Sequence, residues 1–345
     1  MRIDVGSARR WVTDLLLRSG MASGPAGRTA TAIVLAECWG ITSHGLLRVP
    51  SYLRRLEAGG YDPDARLTTV RDTGPVVVLD GHGGLGHWQV WEAAETAAER
   101  AARFGLAAVA VSDSGHCGAL GVATLPALDR GLLAVVLSHG PAAMPAWEGD
   151  RPVVSTSPIA VGVPCRPRPA IVDLSTSAVA RGTVAEHASR DEPLADGWAF
   201  AADGTPTTDP HQALAGMLAP LGGAKGFALA FAVEALTAGL VGPRLSADVP
   251  DPFDPARAGE PQQVGHLLLT LDPAQLAGDG EAAVQRRLDE LAARTTASGG
   301  RVPGAGRRLP HEIADDDELI VATTTWDALQ ASAGHLGVSA GVGGT

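Results

Sequence analysis

Several short stretches of this 345-residue chain contain side chains that can grip an anion or move a proton. In "TSHGLLRVPSY", Ser43 and His44 are followed by Arg48 and Tyr52, and the steps of four predict three polar side chains on one helix face. An arginine there can hold a carboxylate through two parallel hydrogen bonds while histidine or tyrosine donates beside it. The same spacing also suits a solvated helix face capped by Ser43. In "AVSDSGHCGALG", His116 follows an apolar run in a loop of small residues. Such strand-end loops hold ligands in open α/β sheets, and a neutral imidazole can take a proton from an alcohol. A structural histidine fits the loop as well. Cys117, next to it, reads as a small buried thiol.

Two further stretches carry polar groups at element ends. "PLGGAKGFALAF" sets Lys225 among Gly222, Gly223 and Gly226 at a helix entry, where backbone N–H groups and a full positive charge can meet a phosphate. It is not a Walker loop, since glycine rather than serine or threonine follows the lysine. Lys225 is also the only lysine in a chain that contains no asparagine. In "AIVDLSTSAVARG", Asp173 ends an apolar strand before Ser175, Thr176 and Ser177, which form either a cap cluster or a strand-end pocket. Ten histidines are present, but no H-x-x-x-H or H-E-x-x-H pair, so no metal site is expected.

The elements that must position these groups alternate. Residues 5–39 predict two helices, and "SHGLLRVPSY" a third entered through a loop. The runs "VVVLD", "LAAVAVSD", "LLAVVLSHG", "AIVDLST" and "VGHLLLTLDP" predict strands. An alanine-rich helix over 88–104 should pack on the sheet. The segment from Phe227, apolar nearly all round, should be a buried helix. The Pro-rich stretch 242–263 reads as a surface excursion. A helix over "EAAVQRRLDELAART", a loop around "GGRVPGAGRRLP", a closing helix and a loose tail complete an α/β chain.

Composition narrows the function classes. A net charge of −11 argues against nucleic-acid and anionic-membrane partners. The amino terminus lacks a signal-peptide pattern, and no run approaches the ~20 apolar residues of a membrane span. Three widely spaced cysteines suit a reducing cytoplasm.

"VVVLDGHGGLGHWQVW" also carries G-x-G-x-x-G at Gly81, Gly83 and Gly86, the dinucleotide fingerprint in outline. Asp80 interrupts the apolar run before the first glycine, and the helical pattern starts only at Trp88. The glycines therefore read better as a tight turn that brings the helix close to the sheet.

Taken in order, "SHGLLRVPSY", "LDGHGGLGH", "SDSGHCGALG", "STSPIAVGVP", "IVDLSTSAVARG", "GWAFAADGTPTTDP", "PLGGAKGFALA", "VGHLLLTLDP" and "RVPG" resemble the malate/L-lactate dehydrogenase-like oxidoreductases. That family includes ureidoglycolate, sulfolactate and malate dehydrogenases, diketogulonate reductase and reductases of cyclic imino acids. The resemblance implies a non-Rossmann α/β fold with a mixed sheet. It implies a helical substrate-binding and dimerisation lobe over 1–120 plus 300–345, and an NAD(P)-binding lobe over 121–299.

It further implies a homodimer that uses NAD or NADP to exchange a hydride with a 2-hydroxy or 2-oxo acid, a small carboxylate. The alternatives are a cyclic imine carboxylate as substrate, or a cofactor-binding relative recruited to a non-redox role. By resemblance, His116 and His44 are catalytic, and Ser43, Arg48 and Tyr52 bind substrate. Gly140, Ser157, Asp173, Ser175, Thr176, Lys225, Gly226, Pro303 and Gly304 would bind the cofactor. The chain departs from the family pattern at Asp113, Ser157 and Thr183, and Cys117 stands where phenylalanine is usual. That last change implies a roomier pocket.

Overall fold

The computed structural model describes residues 1–339; the expected tail beyond lies outside the described residues. The chain opens with β1 (Arg2–Asp4), α1 (Val5–Arg18), α2 (Ser23–Cys38) and α3 (Val49–Glu57). Next come β2 (Thr68–Asp72), β3 (Val76–Gly84), α4 (Gly86–Phe104), β4 (Leu106–Ser114) and β5 (Leu133–Ser138). They are followed by β6 (Ile159–Val163), β7 (Ala170–Leu174), α5 (Arg181–Ser189) and α6 (Ala224–Glu234). The last are β8 (Val264–Leu271), α7 (Glu281–Ala297), β9 (Glu318–Ile320) and α8 (Thr323–Leu336).

The central sheet has seven strands in the order β2-β3-β4-β8-β5-β6-β7. Only β3 and β4 pair in parallel; every other neighbouring pair is antiparallel. A doubly wound dinucleotide fold needs a mostly parallel sheet, so this mixed α/β sheet is not of Rossmann type. The single parallel step is made by α4. Its Ala93, Ala94, Ala97, Ala98 and Ala101 are buried, and small side chains let the helix lie close to Val77, Val109 and Leu268.

A second core lies under α1, α2, α3 and α8, where Trp11, Leu15, Leu16, Ile33, Tyr52 and Leu329 pack together. The two chain ends meet there, with β1 antiparallel to β9. Strands from both sides of residue 120 share the large sheet.

The glycine-rich stretch is strand and helix start rather than a phosphate loop. β3 runs through Gly84, and α4 begins at Gly86. A Cβ on Gly86 would sit 2.2 Å from the Gly115 carbonyl oxygen, and one on Gly84 would sit 2.3 Å from Gln89 Nε2. The glycines thus let the His116 loop and α4 approach each other.

Two expectations are corrected. The helix containing Phe227 is not buried all round: Leu229, Phe231, Leu236 and Leu240 are exposed, because only one side of it meets the sheet. The Pro-rich 242–263 segment is also more than a surface excursion. Ser246, Val249, Ala258 and Gln262 are buried, and its middle folds over His116.

Candidate active site

The expected helix face of His44, Arg48 and Tyr52 does not exist as such. Ser43 and His44 lie on a 3-10 turn, Arg48 ends a second one, and only Tyr52 is on α3. Pro50 explains where the helix begins, since proline suits the first helical turn but not the interior. Gly45 separates the two turns, and a Cβ there would overlap the Glu37 carboxylate at 2.0 Å. That carboxylate accepts the Leu46 N–H at 2.8 Å and pins the turns to α2. The turns bring the same three side chains together by another route.

His116 is the centre of the cluster. Its Nδ1 lies 2.9 Å from Tyr52 Oη and 3.2 Å from the Gly118 nitrogen, so Nε2 is left for a ligand. Its backbone N–H donates to Gln262 Oε1 at 3.0 Å, and the buried Tyr61 hydroxyl donates to the same oxygen. The His44 ring stacks on the His116 ring at 5.6 Å and 12°. Ser43 Oγ stands 3.0 Å from His44 Nδ1. Arg48 donates through Nε to the Ser43 carbonyl at 2.7 Å and lies flat on Phe253, 3.6 Å from the ring centroid. Phe253 also meets His116 edge-on at 5.7 Å. Among the described residues no carboxylate is in ion-pair range of Arg48, so its terminal nitrogens are free for an anion.

Electrostatics follow from this crowding. Desolvation, then the positive potential of His44, His87 and Arg48, holds His116 well below the ordinary histidine pKa. Burial and the Arg48 charge bring His44 down to about 4. His87, under the same ring cluster, is down to about 3, and neither of its ring nitrogens has a partner. Burial raises the Tyr52 hydroxyl well above 10, so it stays protonated. Cys117 lines a void of about 10 Å³ with His87 and Trp91.

The residues expected at a cofactor border β7. Thr156 accepts the Thr176 N–H at 2.8 Å and the Thr176 hydroxyl at 3.0 Å, which joins the Ser157 turn to the end of β7. Ser157 is buried at φ 40°, its hydroxyl 3.2 Å from Ser155 Oγ, and Ser175 Oγ lies 2.9 Å from Ser177 Oγ. Leu221 donates to Thr176 O at 2.8 Å, bringing the Lys225 loop alongside. Asp173 accepts the Gly121 N–H at 2.9 Å, and burial holds its carboxyl above the usual range.

Pro303 accepts the Ile171 N–H at 2.9 Å, and Gly304, at φ 71°, has no room for a Cβ beside Ile171. Gly226 packs in the same way on Leu221, whereas Gly140 faces open space. Lys225 is exposed and has no carboxylate partner among the described residues. The exposed Lys225 ammonium, the open backbone at Gly222 and the half-buried Ser175 hydroxyl suit a nucleotide with a diphosphate, whereas the Ser157 and Thr176 hydroxyls are buried in internal hydrogen bonds.

The family model for malate/L-lactate dehydrogenase matches residues 3–330. The chain belongs to that family. It is 39% identical to the (2R)-3-sulfolactate dehydrogenase (NADP(+)) of Chromohalobacter salexigens, over 88% of this chain and 90% of that one. It is 31% identical to the Delta(1)-pyrroline-2-carboxylate reductase of Agrobacterium fabrum, over 90% of each. Among solved structures it superposes on the sulfolactate dehydrogenase of Methanocaldococcus jannaschii with a TM-score of 0.85 at 27% identity, covering 98% of both chains. For the delta1-piperideine-2-carboxylate reductase of Pseudomonas syringae the TM-score is 0.87 at 28% identity, covering 96% of this chain and 99% of that one.

Phe253, Gln262, Tyr61 and His87 escaped the sequence reading. Gln262 and Phe253 lie in a Pro-rich stretch with no periodicity, and His87 sits inside a glycine-rich run. Only the meeting of distant segments identifies them.

Proposed function

We propose that this family member exchanges a hydride between NAD(H) or NADP(H) and a 2-hydroxy/2-oxo acid pair, with His116 as the acid–base group. The arrangement of Tyr52, His116 and Arg48 carries the reading: a proton-transfer nitrogen is aimed into a pocket beside an unpaired guanidinium. Burial keeps His116 neutral at pH 7, and Nε2 is the ring nitrogen left to exchange a proton with the substrate. On the other side of the ring Nδ1 is committed, accepting the Gly118 N–H and meeting Tyr52 Oη. In the reverse direction, a substrate anion on Arg48 offsets the local positive potential and lets His116 carry a proton to the nascent alkoxide. Ser43 fixes the His44 ring, and His44 stacks on His116 to orient it.

When bound, the nicotinamide supplies or accepts the hydride. Asp173, Ser175, Thr176, Ser157 and Gly140 would line its groove, Lys225 and Gly226 would meet the diphosphate, and Pro303 and Gly304 would close one wall. We assign the substrate-handling residues Ser43, His44, Arg48, Tyr52 and His116 to the lobe of residues 1–120 plus 300–345, and the cofactor to 121–299, whose α6 also carries an exposed apolar face. The sulfolactate and pyrroline-2-carboxylate relatives fit this reading, as one name describes a 2-hydroxy acid that is oxidised and the other a cyclic imine carboxylate that is reduced. Following NADH and NADPH oxidation with a panel of 2-oxo acids and cyclic imine carboxylates tests it. Turnover of at least one is expected, and no turnover of any would sink it.

We also propose a homodimer. Leu221, Leu229, Phe231, Leu236 and Leu240 are each at least 40% exposed along α6 and its flanks, an apolar face that a second copy would cover. Light scattering on Phe231→Glu should then report a monomer, and an unchanged mass for wild type and variant would remove this face from the interface. Three free cysteines support a reducing, cytoplasmic setting. No helix among the described residues is long and apolar enough to cross a membrane.

A further inference from the structure

Next to Arg48 lies a second arginine that the reading above does not use. Arg181 opens α5, and its Nη1 pairs with Asp251 Oδ2 at 3.0 Å. The adjoining Gly182 touches the Ser43 turn so closely that a Cβ would come within 2.9 Å of Ser43 Cβ. Ser43 O holds Arg48 on one side and Phe253 covers it on the other, so the Gly182–Ser43 and Asp251–Phe253 contacts set the Arg181–Asp251 pair near the Arg48 guanidinium. Asp251 stands two residues before Phe253, the ring that covers Arg48 and His116, and its Oδ1 accepts the Phe253 N–H at 2.9 Å.

These contacts define a charge balance. Arg48 and Arg181 carry two positive charges, and Asp251 cancels one of them. A monoanionic 2-oxo acid needs only Arg48. A dianion needs both arginines, and the group it must replace is a carboxylate already seated on the second. The Arg181–Asp251 pair is partly exposed, and ion pairs screened by solvent add little to stability, so the exchange costs little. A substrate oxyanion placed by Arg48 gains a fixed partner that does not have to be ordered from solution.

We propose that Arg181 selects dianionic 2-oxo acids, and that Asp251 occupies the place of the substrate's second anionic group until substrate arrives. This rests on the oxidoreductase reading. Asp251 is then a resident stand-in whose release frees the Phe253 loop as the substrate seats. Arg181 is a specificity residue, distant from the proton and the hydride.

The test compares oxaloacetate, a dianion, with pyruvate, a monoanion, in the wild type and in Arg181→Ala, Arg181→Lys and Asp251→Asn. The kcat/KM ratio of oxaloacetate to pyruvate should fall about fivefold to tenfold in Arg181→Ala, in line with one partly screened charged hydrogen bond. Lysine at 181 should restore part of it, and Asp251→Asn should raise the ratio. A ratio unchanged in Arg181→Ala, or a wild type that prefers pyruvate, overturns the proposal and leaves the oxidoreductase reading standing. If the wild type reduces neither acid, calorimetric binding of malonate against acetate decides it separately. A malonate preference that disappears in Arg181→Ala supports the assignment, and equal binding of the two overturns it.

Discussion

Two sets of buried histidines lie on either side of the His116 loop, and they differ in one respect. His139 and His266 are as desolvated as His87 and His116, and their pKa values are likewise pushed down, to about 4 and about 3. Yet their ring nitrogens are all spoken for. His266 Nδ1 lies 2.9 Å from Ser138 Oγ and Nε2 lies 3.2 Å from Gly115 O. His139 Nε2 accepts the Gly265 N–H at 2.8 Å, and Nδ1 faces Ser246 Oγ, which donates on to Glu234. In the His116 cluster, Nε2 of His116 is uncommitted and both His87 nitrogens are unpartnered. A depressed pKa marks burial in both sets. Spare hydrogen-bonding capacity marks the set that can do chemistry.

Substitutions should separate the two sets. His116→Ala should lower kcat/KM by about 10²–10⁴-fold, the range of a lost general acid–base, while leaving the unfolding midpoint nearly unchanged. A large loss of stability instead would move His116 into the structural set. His266→Ala should do the reverse: it opens a cavity and strands Ser138 and Gly115 O, at about 2–4 kcal/mol in a urea titration. If that variant were as stable as wild type, the contrast would fail.

Acid should act through the same residues. The unfolded chain binds protons on His87, His139 and His266 near pH 6.5, whereas the folded chain resists until about pH 3 or 4. The unfolded state therefore holds more protons in that window, and stability is lost as pH falls through it. The slope approaches about 1.4 kcal/mol per pH unit for each histidine. Glu37, Asp173 and Glu234, with carboxyls held high by burial, oppose this lower in the window. Urea midpoints from pH 7.5 to 5 should drop steeply, and a flat profile would mean the histidines are not neutral by burial.

The smallest effect is expected for Tyr52→Phe. It removes one of the two partners of His116 Nδ1, leaves the Gly118 N–H and keeps the ring packing, so kcat should fall about threefold to tenfold with little change in KM, as for a lost orienting hydrogen bond. The acid limb of the kcat–pH profile should shift with it. A KM effect alone would place Tyr52 on the substrate rather than on His116.

Much of the fold was legible because its signals are local. The alternation of β3, α4 and β4, the alanine face of α4 and the closing helix α8 all follow from periodicity within single segments. The burial of the α6 segment was misread for a related reason. Composition reports that a helix is apolar, but which side meets the sheet depends on strands far away in sequence. The helix face predicted for His44, Arg48 and Tyr52 was misread because Pro50 and Gly45 shorten the helix from within. The right residues still met, through turns that Glu37 secures from α2.

By itself, the sequence determined the types of the reactive groups: Ser43, His44, Arg48, Tyr52, His116, Asp173 and Lys225, each beside a turn or an element end. Side-chain chemistry and short-range backbone preference are written residue by residue. Only the tertiary structure decided that Phe253 and Gln262 close on His116, that Nδ1 rather than Nε2 is committed, and that Arg181 faces Asp251 beside Arg48. Those facts depend on desolvation and on distances between segments 64 to 146 residues apart. Neither is a property of any one segment.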